Sequence, residues 1–328
     1  MSDAALIRRR TLPEGAVFET RVMADGWRLR TVFWPGKPAG PGSILFLTGR
    51  GDFIEKYAET FHDLVSAGWG VMSFDWRGQG LSGRLGDTAM KGHSPGFDIW
   101  LGDLDTVIGR FQAIMPKPWF AIGHSLGGHL LLRHLAGENR EFTRAVLLAP
   151  MLGVSARPLG APLARQIAQW LTRLGRGGRF VWRGGPYVPG TAGSVRQRLL
   201  TSDAERYLDE SWWISQQPAL ALGSVTWGWL TAAFASLDML LKPPVRLRGT
   251  GEGADSRPRL QRITTPVLVL VPESDGLVDG EITRDAVSRM PSATLEVVAA
   301  TGHELLREAS DIRARVLVRV TDFLQDTP

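Results

Sequence analysis

The 328-residue chain contains no cysteine. That absence excludes disulfide frameworks, thiol nucleophiles and thiolate metal sites together, and it suits a reducing cytoplasm. Long apolar runs are missing too. The nearest approach is residues 211–237, which carry no charge but are interrupted by Gln216, Gln217 and Pro218 and diluted by Ser224, Thr226, Gly228, Thr231 and Ser236. This stretch reads as a buried or interfacial helical segment rather than a membrane span. No apolar run follows Arg8-Arg9-Arg10, so no secretory leader is expected. Histidine is sparse. Of the six, His124, His129 and His134 recur every five residues, a spacing that does not align ligands on one helix face. No metal or organic cofactor is expected.

What is present is a globular composition, 44% hydrophobic and 22% charged, long enough for one large α/β domain carrying an insertion. The net charge of +5 is unevenly placed. Residues 151–260 hold 14 Lys and Arg against 7 Asp and Glu, so the whole positive excess lies in the middle third. The same window holds six of the twelve tryptophans: Trp170, Trp182, Trp212, Trp213, Trp227 and Trp229. Such a segment suits an anionic membrane surface or an amphiphile with a phosphate. An arginine-rich composition with tryptophan as core filler would give the same counts. The basic residues are scattered and no binding motif accompanies them, so nucleic acid is not expected.

Short apolar runs at 43–47, 70–74, 119–122, 145–148, 267–271 and 294–298 each end in a turn, as buried strands do. Helical patterns lie between them at 57–67, 97–115, 127–135, 281–289 and 311–324. Alternating strands and helices predict an α/β fold, a mostly parallel sheet with helices on both faces. Residues 17–22 and 27–33, around Asp25-Gly26, predict an antiparallel edge hairpin. Strand signal disappears from 151 to 258. The expected organisation is therefore a core of residues 1–150 and 259–328 with a helical insertion at 151–258.

The strand at 119–122 runs into Gly123-His124-Ser125-Leu126-Gly127, followed by a helix. A G-x-S-x-G turn between strand and helix lifts a serine hydroxyl above the sheet, and glycines are needed where a Cβ would strike the neighbouring elements. Serine needs a base. His303 is the one histidine beyond the insertion, and it follows the last predicted strand at the sheet edge that carries Ser125. His124 points away and reads as a packing residue. The base needs an acid to hold its tautomer. Asp275 lies four residues past the strand at 267–271. Glu273 and Asp279 are rivals, and Asp279 fits better as the cap of the helix at 281–289. Oxyanion donors are expected from the backbone N–H of Leu126 and of Arg50, in the turn Thr48-Gly49-Arg50-Gly51. Gly78-Gln79-Gly80-Leu81-Ser82-Gly83 matches a dinucleotide fingerprint, but no helix opens on it, so it is read as a decoy.

Taken together, Thr48-Gly49-Arg50-Gly51 with Glu55-Lys56-Tyr57, the run from Phe74 to Gly83, Gly123–Gly127, Ser274-Asp275 and Gly302-His303-Glu304 resemble α/β-hydrolases. The branch is the serine aminopeptidase-like one that includes monoacylglycerol lipases and bacterial lysophospholipases. The Gly49-Arg50 turn, the run Arg77–Arg84 and His303-Glu304-Leu305-Leu306 look closest to bacterial lysophospholipases. The first turn departs from the usual His-Gly-x-Gly in having Thr48. The resemblance spans nearly the whole chain and implies that the insertion is a helical cap over the active site.

The expected activity is that of a serine carboxylic-ester hydrolase acting on a lysophospholipid or monoacylglycerol. Ser125, His303 and Asp275 form the triad, and Trp227, Trp229, Leu230 and Phe234 are expected to line an acyl site. The protein is expected to be cytoplasmic, with reversible contact to an anionic membrane face. The alternatives are a peptidase or amidase with the same triad, which would need acidic residues in the cap for an ammonium group, and a non-catalytic binding protein on the same scaffold.

Overall fold

Each apolar run predicted as a strand is one in the computed structural model, which describes residues 3–37, 39–137, 139–155, 159–243 and 257–326. The strands are β1 (Val17–Val22), β2 (Arg28–Trp34), β3 (Ser43–Leu47), β4 (Gly70–Phe74), β5 (Trp119–His124), β6 (Arg144–Leu148), β7 (Val267–Pro272) and β8 (Ala293–Val298). They form one sheet in the order β1-β2-β4-β3-β5-β6-β7-β8. β1 pairs antiparallel with β2, and β2 antiparallel with β4. All other pairings are parallel. The crossovers are α2 (Ala58–Ser66), α3 (Asp98–Ile114), α4 (Leu126–Leu135) and α9 (Gly280–Ser288), and α10 (Ser310–Gln325) closes the chain.

The central strands read as continuous apolar runs because both faces of the sheet are covered. Along β3, Ile44 and Phe46 face Phe61 and Leu64 of α2 and Val316, Val320 and Phe323 of α10. Leu45 and Leu47 face the opposite way, toward Leu104 and Phe111 of α3 and Leu130 of α4. Each such fully buried side chain contributes about 1.5–3 kcal/mol relative to exposure. A one-residue slip of β3 would exchange its two faces and lose the fit on both.

Between β6 and β7 the described residues form α5 (Ala161–Leu171), α6 (Val195–Leu200), α7 (Ala204–Gln216) and α8 (Trp227–Leu241), with no strand among them. Residues 244–256, near the end of the insertion expected at 151–258, lie outside the described residues. α8 is apolar around most of its surface and is fused to the body. Trp229, Leu230, Phe234 and Leu237 belong to the same core as Phe97, Trp100 and Leu130, and the Phe97 and Trp229 ring centroids are 5.6 Å apart. α7 is attached by charge instead, with Arg206 on Glu59 of α2 at 2.8 Å. A further helix, α1 (Asp3–Arg10), has no apolar periodicity to announce it. The basic triplet holds it in place. Arg9 and Arg10 each reach Asp209 of α7 at 3.0 Å, and Arg8 pairs with Asp63 of α2. No described helix is long and apolar enough to cross a membrane.

Candidate active site

Ser125 follows the last residue of β5, His124, and precedes the first residue of α4, Leu126. Its φ of 50° is in the left-handed region, which costs an L-residue about 1–2 kcal/mol. Its own backbone pins it there: the Ser125 N–H donates to the Leu148 carbonyl, and its carbonyl accepts from His129 and Met151 N–H, all at 3.0 Å. The flanking glycines are required by contact. A Cβ on Gly123 would stand 2.8 Å from the Gly128 Cα, and one on Gly127 would strike the Leu47 carbonyl.

His303 lies past β8, with its Nε2 2.9 Å from Ser125 Oγ. Its Nδ1 is 2.6 Å from Asp275 Oδ2, across 28 positions of chain. The other carboxylate oxygen of Asp275 accepts from the Leu277 and Val278 N–H at 2.8 and 3.0 Å. Burial alone would raise the Asp275 carboxyl. The hydrogen bond and charge of His303, with the two N–H groups, outweigh burial and hold it below its ordinary value. An ionised Asp275 accepts only, so Nδ1 carries the proton and Nε2 is left to accept from Ser125. The loop bearing His303 is fastened to α6. The His303 and Glu304 N–H groups donate to the Leu199 and Leu200 carbonyls at 3.1 and 2.7 Å. Those carbonyls end α6 and have no acceptor role within it.

The rivals of Asp275 are placed elsewhere. Asp279 caps α9, accepting from the Glu281 and Ile282 N–H at 3.0 and 3.2 Å. Glu273 lines a separate surface depression with Ser274 and Thr301. His124 is buried behind the site, its Nδ1 2.7 Å from the Tyr57 hydroxyl and its Nε2 3.3 Å from the His303 carbonyl.

In the turn after β3, the Gly49 N–H donates to Asp52 Oδ2 at 2.8 Å and the Gly51 N–H donates to Gln79. The Arg50 N–H makes no hydrogen bond among the described residues, and neither does the Leu126 N–H at the start of α4. The run Gly78–Gly83 has a structural explanation. It wraps the buried carboxyl of Asp75, which accepts from the Ile54 and Leu81 N–H at 2.9 and 2.8 Å. Gly80 sits at φ 51°, and a Cβ there would strike that carboxyl. Burial pushes Asp75 up to about 6, only partly offset by Arg30.

Sequence reasoning missed the charged layer beneath the turn. The Lys56 ammonium is 2.6 Å from Asp52, 2.6 Å from Glu304 and 3.0 Å from Glu210 of α7, every side chain 3–5% exposed. Burial lowers Lys56, but the three carboxylates more than reverse that and raise it. Burial would raise Glu210, yet the charges of Lys56, Arg196 and Arg307 hold it down to about 2. Arg307 also pairs with Glu304 at 2.5 Å, and Arg196 with Glu210 at 2.8 Å. Lys56 and Glu304 are 248 positions apart, and no local pattern links them.

Ser125 and His303 open into a cavity of about 750 Å³ whose apolar wall includes Met151, Val154, Leu199, Ile214, Trp229 and Leu277. Arg50, Lys56, Glu210 and Arg196 give it a charged end. Of the four residues expected to hold an acyl chain, only Trp229 lines this cavity. Trp227, Leu230 and Phe234 are buried in the core under α8. Trp227 packs on Trp182 with centroids 5.1 Å apart, and Arg165 stacks on Phe234. The amphipathic helices α6 and α7 supply much of the apolar wall instead, because α8 turns its apolar surface to the body. Among the described residues no group of His, Asp and Glu is arranged to hold a metal ion.

The family model described as serine aminopeptidase, S33, matches residues 40–310. The chain is 26% identical over 283 residues to the probable lysophospholipase L2 of Haemophilus influenzae, covering 86% of this chain and 83% of that protein. It is 27% identical over 296 residues to lysophospholipase L2 of Escherichia coli, covering 85% and 79%. Among solved structures, a soluble variant of monoglyceride lipase from Saccharomyces cerevisiae in complex with a substrate analog superposes with a TM-score of 0.71 at 17% identity. It covers 97% of each chain.

Proposed function

The chain belongs to the serine aminopeptidase S33 family, with an α/β-hydrolase fold, and on that premise we propose that it is a serine carboxylic-ester hydrolase cleaving a fatty-acyl ester of a lysophospholipid or monoacylglycerol. The observation that carries this reading is the Ser125–His303–Asp275 relay, 2.9 and 2.6 Å long, at the wall of a cavity with one apolar and one charged end.

In this reading Ser125 Oγ attacks the ester carbonyl as His303 Nε2 takes its proton. The oxyanion is held by the Arg50 and Leu126 N–H groups, which have no other acceptor among the described residues. His303 then gives the proton to the departing alcohol. A water deprotonated by the same Nε2 attacks the acyl-enzyme and releases the fatty acid. Asp275 stays ionised throughout, orients the ring and stabilises the imidazolium. Residues 151–258 serve as the cap and supply the acyl wall. The lipid substrates named for the relatives from H. influenzae and E. coli agree with that wall.

A peptidase reading would need a carboxylate free to meet the substrate's ammonium. Asp52, Glu210 and Glu304 lie at the charged end, but each is already held by Lys56, and two of them by arginines as well. A non-catalytic binding protein would have no use for the hydrogen-bonded relay. We further propose a cytoplasmic protein that touches an anionic membrane face through the cap. Arg173, Arg176 and Arg179 are exposed and without ion pairs among the described residues, beside exposed Leu163, Trp170 and Leu174. Side-by-side assay of lysophosphatidylcholine, monoacylglycerol and an aminoacyl anilide tests the substrate class. The two acyl esters should be turned over far faster than the anilide, and a preference for the anilide would refute the reading.

A further inference from the structure

The charged end of the cavity is not balanced. Around Lys56 three carboxylates, Asp52, Glu210 and Glu304, face three cations, Lys56, Arg196 and Arg307. Arg50 is a fourth cation. It lines the cavity but forms no ion pair among the described residues. One terminal nitrogen of its guanidinium donates to the Gly223 carbonyl, and its Nε is buried with no hydrogen-bond partner among the described residues. Burial, with the repulsion of Arg196, pushes the group down to about 10 despite Asp52 and Glu210. A desolvated guanidinium with an idle donor is costly unless an anion arrives to use it.

A second unpaired cation stands nearby. The segment after Gly223 is tied to the cap loop by the Ser224 N–H, which donates to the Gly185 carbonyl at 2.9 Å. Two residues before Gly185 is Arg183, which is exposed, lines the same cavity and has no ion pair among the described residues. Its φ of 55° puts a non-glycine residue in the left-handed region, a conformation that persists only where surroundings enforce it and that gathers at binding sites.

We propose that Arg50 and Arg183 form the seat of an anionic phosphodiester on the leaving alcohol, so that lysophospholipid is preferred over neutral monoacylglycerol. This rests on the ester-hydrolase reading above. Reach supports it. If the Arg50 N–H holds the ester carbonyl oxygen, its guanidinium stands about six bonds further along the side chain. In a lysophospholipid the phosphorus is also about six bonds from the ester carbon, roughly 7 Å when extended. One residue then holds both ends of the glycerol unit, the oxyanion through its backbone and the phosphate through its side chain. Guanidinium forks suit phosphate oxygens better than any other side chain.

The test compares kcat and KM on lysophosphatidylcholine and on monoacylglycerol of the same acyl chain, in mixed detergent micelles. The wild type should favour the phospholipid at least about tenfold in kcat/KM. Arg50→Gln should cut that ratio about tenfold or more, mainly through KM on the phospholipid. Arg183→Asn should lower the same ratio by a smaller factor. Arg183 is exposed and asparagine tolerates a left-handed backbone, so the fold is not at risk. Glycerophosphocholine should inhibit monoacylglycerol hydrolysis by the wild type and do so more weakly in both variants. An unchanged ratio in both variants, or an equal loss on both substrates, would overturn the phosphate seat while leaving the esterase reading intact. Failure of the wild type to cleave either ester would instead overturn the reading on which the seat rests.

Discussion

Replacing Lys56 by Met tests the charged layer that joins α7 to the turn after β3 and the loop after β8. The ammonium touches three carboxylates at 2.6–3.0 Å, and all four side chains are 5% exposed or less. Breaking a buried pair by removing one partner costs about 3–5 kcal/mol, because a charge is left buried and uncompensated. In a chain of this length that is a fall in Tm on the order of 10 °C. The pH dependence separates this cause from simple loss of packing. In the wild type, Glu210 is held down to about 2 from an ordinary 4.5. Its stabilisation is complete above about 4.5 and is lost as pH falls through about 2, so acidifying from pH 7.5 to 5.5 gains nothing at this cluster. In the variant the carboxylates stay buried without their cation. The folded pKa of at least one then rises above its unfolded value, and the protonated folded form is favoured. The stability cost is therefore largest at high pH and shrinks on acidification. Asp75, pushed up to about 6, titrates in both proteins and cancels in the difference. Thermal unfolding followed by tryptophan fluorescence at pH 7.5 and 5.5 measures both quantities. Lys242→Met, which removes an exposed pair with Asp238 at 2.9 Å, is the control and should cost under about 1 kcal/mol. A Lys56→Met deficit no larger than the control's, or one that stays constant or grows at pH 5.5, would refute the reasoning.

Two further outcomes follow from the same geometry. Asp275→Asn should cut ester turnover by roughly 10⁴, the scale of a wrong-tautomer histidine, whereas Asp279→Ala should cost about 1 kcal/mol of stability as a lost helix cap with turnover nearly intact; steady-state kinetics and thermal melts distinguish them. The protein should float with phosphatidylglycerol vesicles at low salt and release at high salt, and replacing Arg173, Arg176 and Arg179 together by Ser should weaken flotation without lowering hydrolysis of a short ester.

The sheet was legible because parallel strands covered on both faces leave apolar runs of about five residues bounded by turns, too short for a helix. The elbow was legible because a strained turn between strand and helix tolerates so few residues at 123 and 127. Asp275 could be separated from Asp279 because a helix start has its own demand for a carboxylate. Other features left no local trace. α1 is held by Arg8, Arg9 and Arg10 reaching carboxylates far along the chain, so its sequence resembles a polar tail. The Lys56 cluster joins residues from a turn, α7 and the loop after β8, and only the fold brings them together. Trp227, Leu230 and Phe234 were expected at the cavity and lie off it, because hydrophobicity reports burial but not what a side chain is buried against. They pack into the body, whereas Leu199 and Ile214, from helices of ordinary amphipathic character, line the cavity into which Ser125 opens.

The central claim is that Ser125 is an activated nucleophile. The direct measurement is intact-protein and peptide mass spectrometry after exposure to a fluorophosphonate probe. One adduct per chain is expected, located on Ser125, formed within minutes by the wild type and blocked by prior incubation with lysophospholipid. Ser125→Ala should take no adduct, and His303→Ala should react far more slowly while remaining folded. An unlabelled wild type, or an adduct on any other residue that persists in folded Ser125→Ala, would contradict the account.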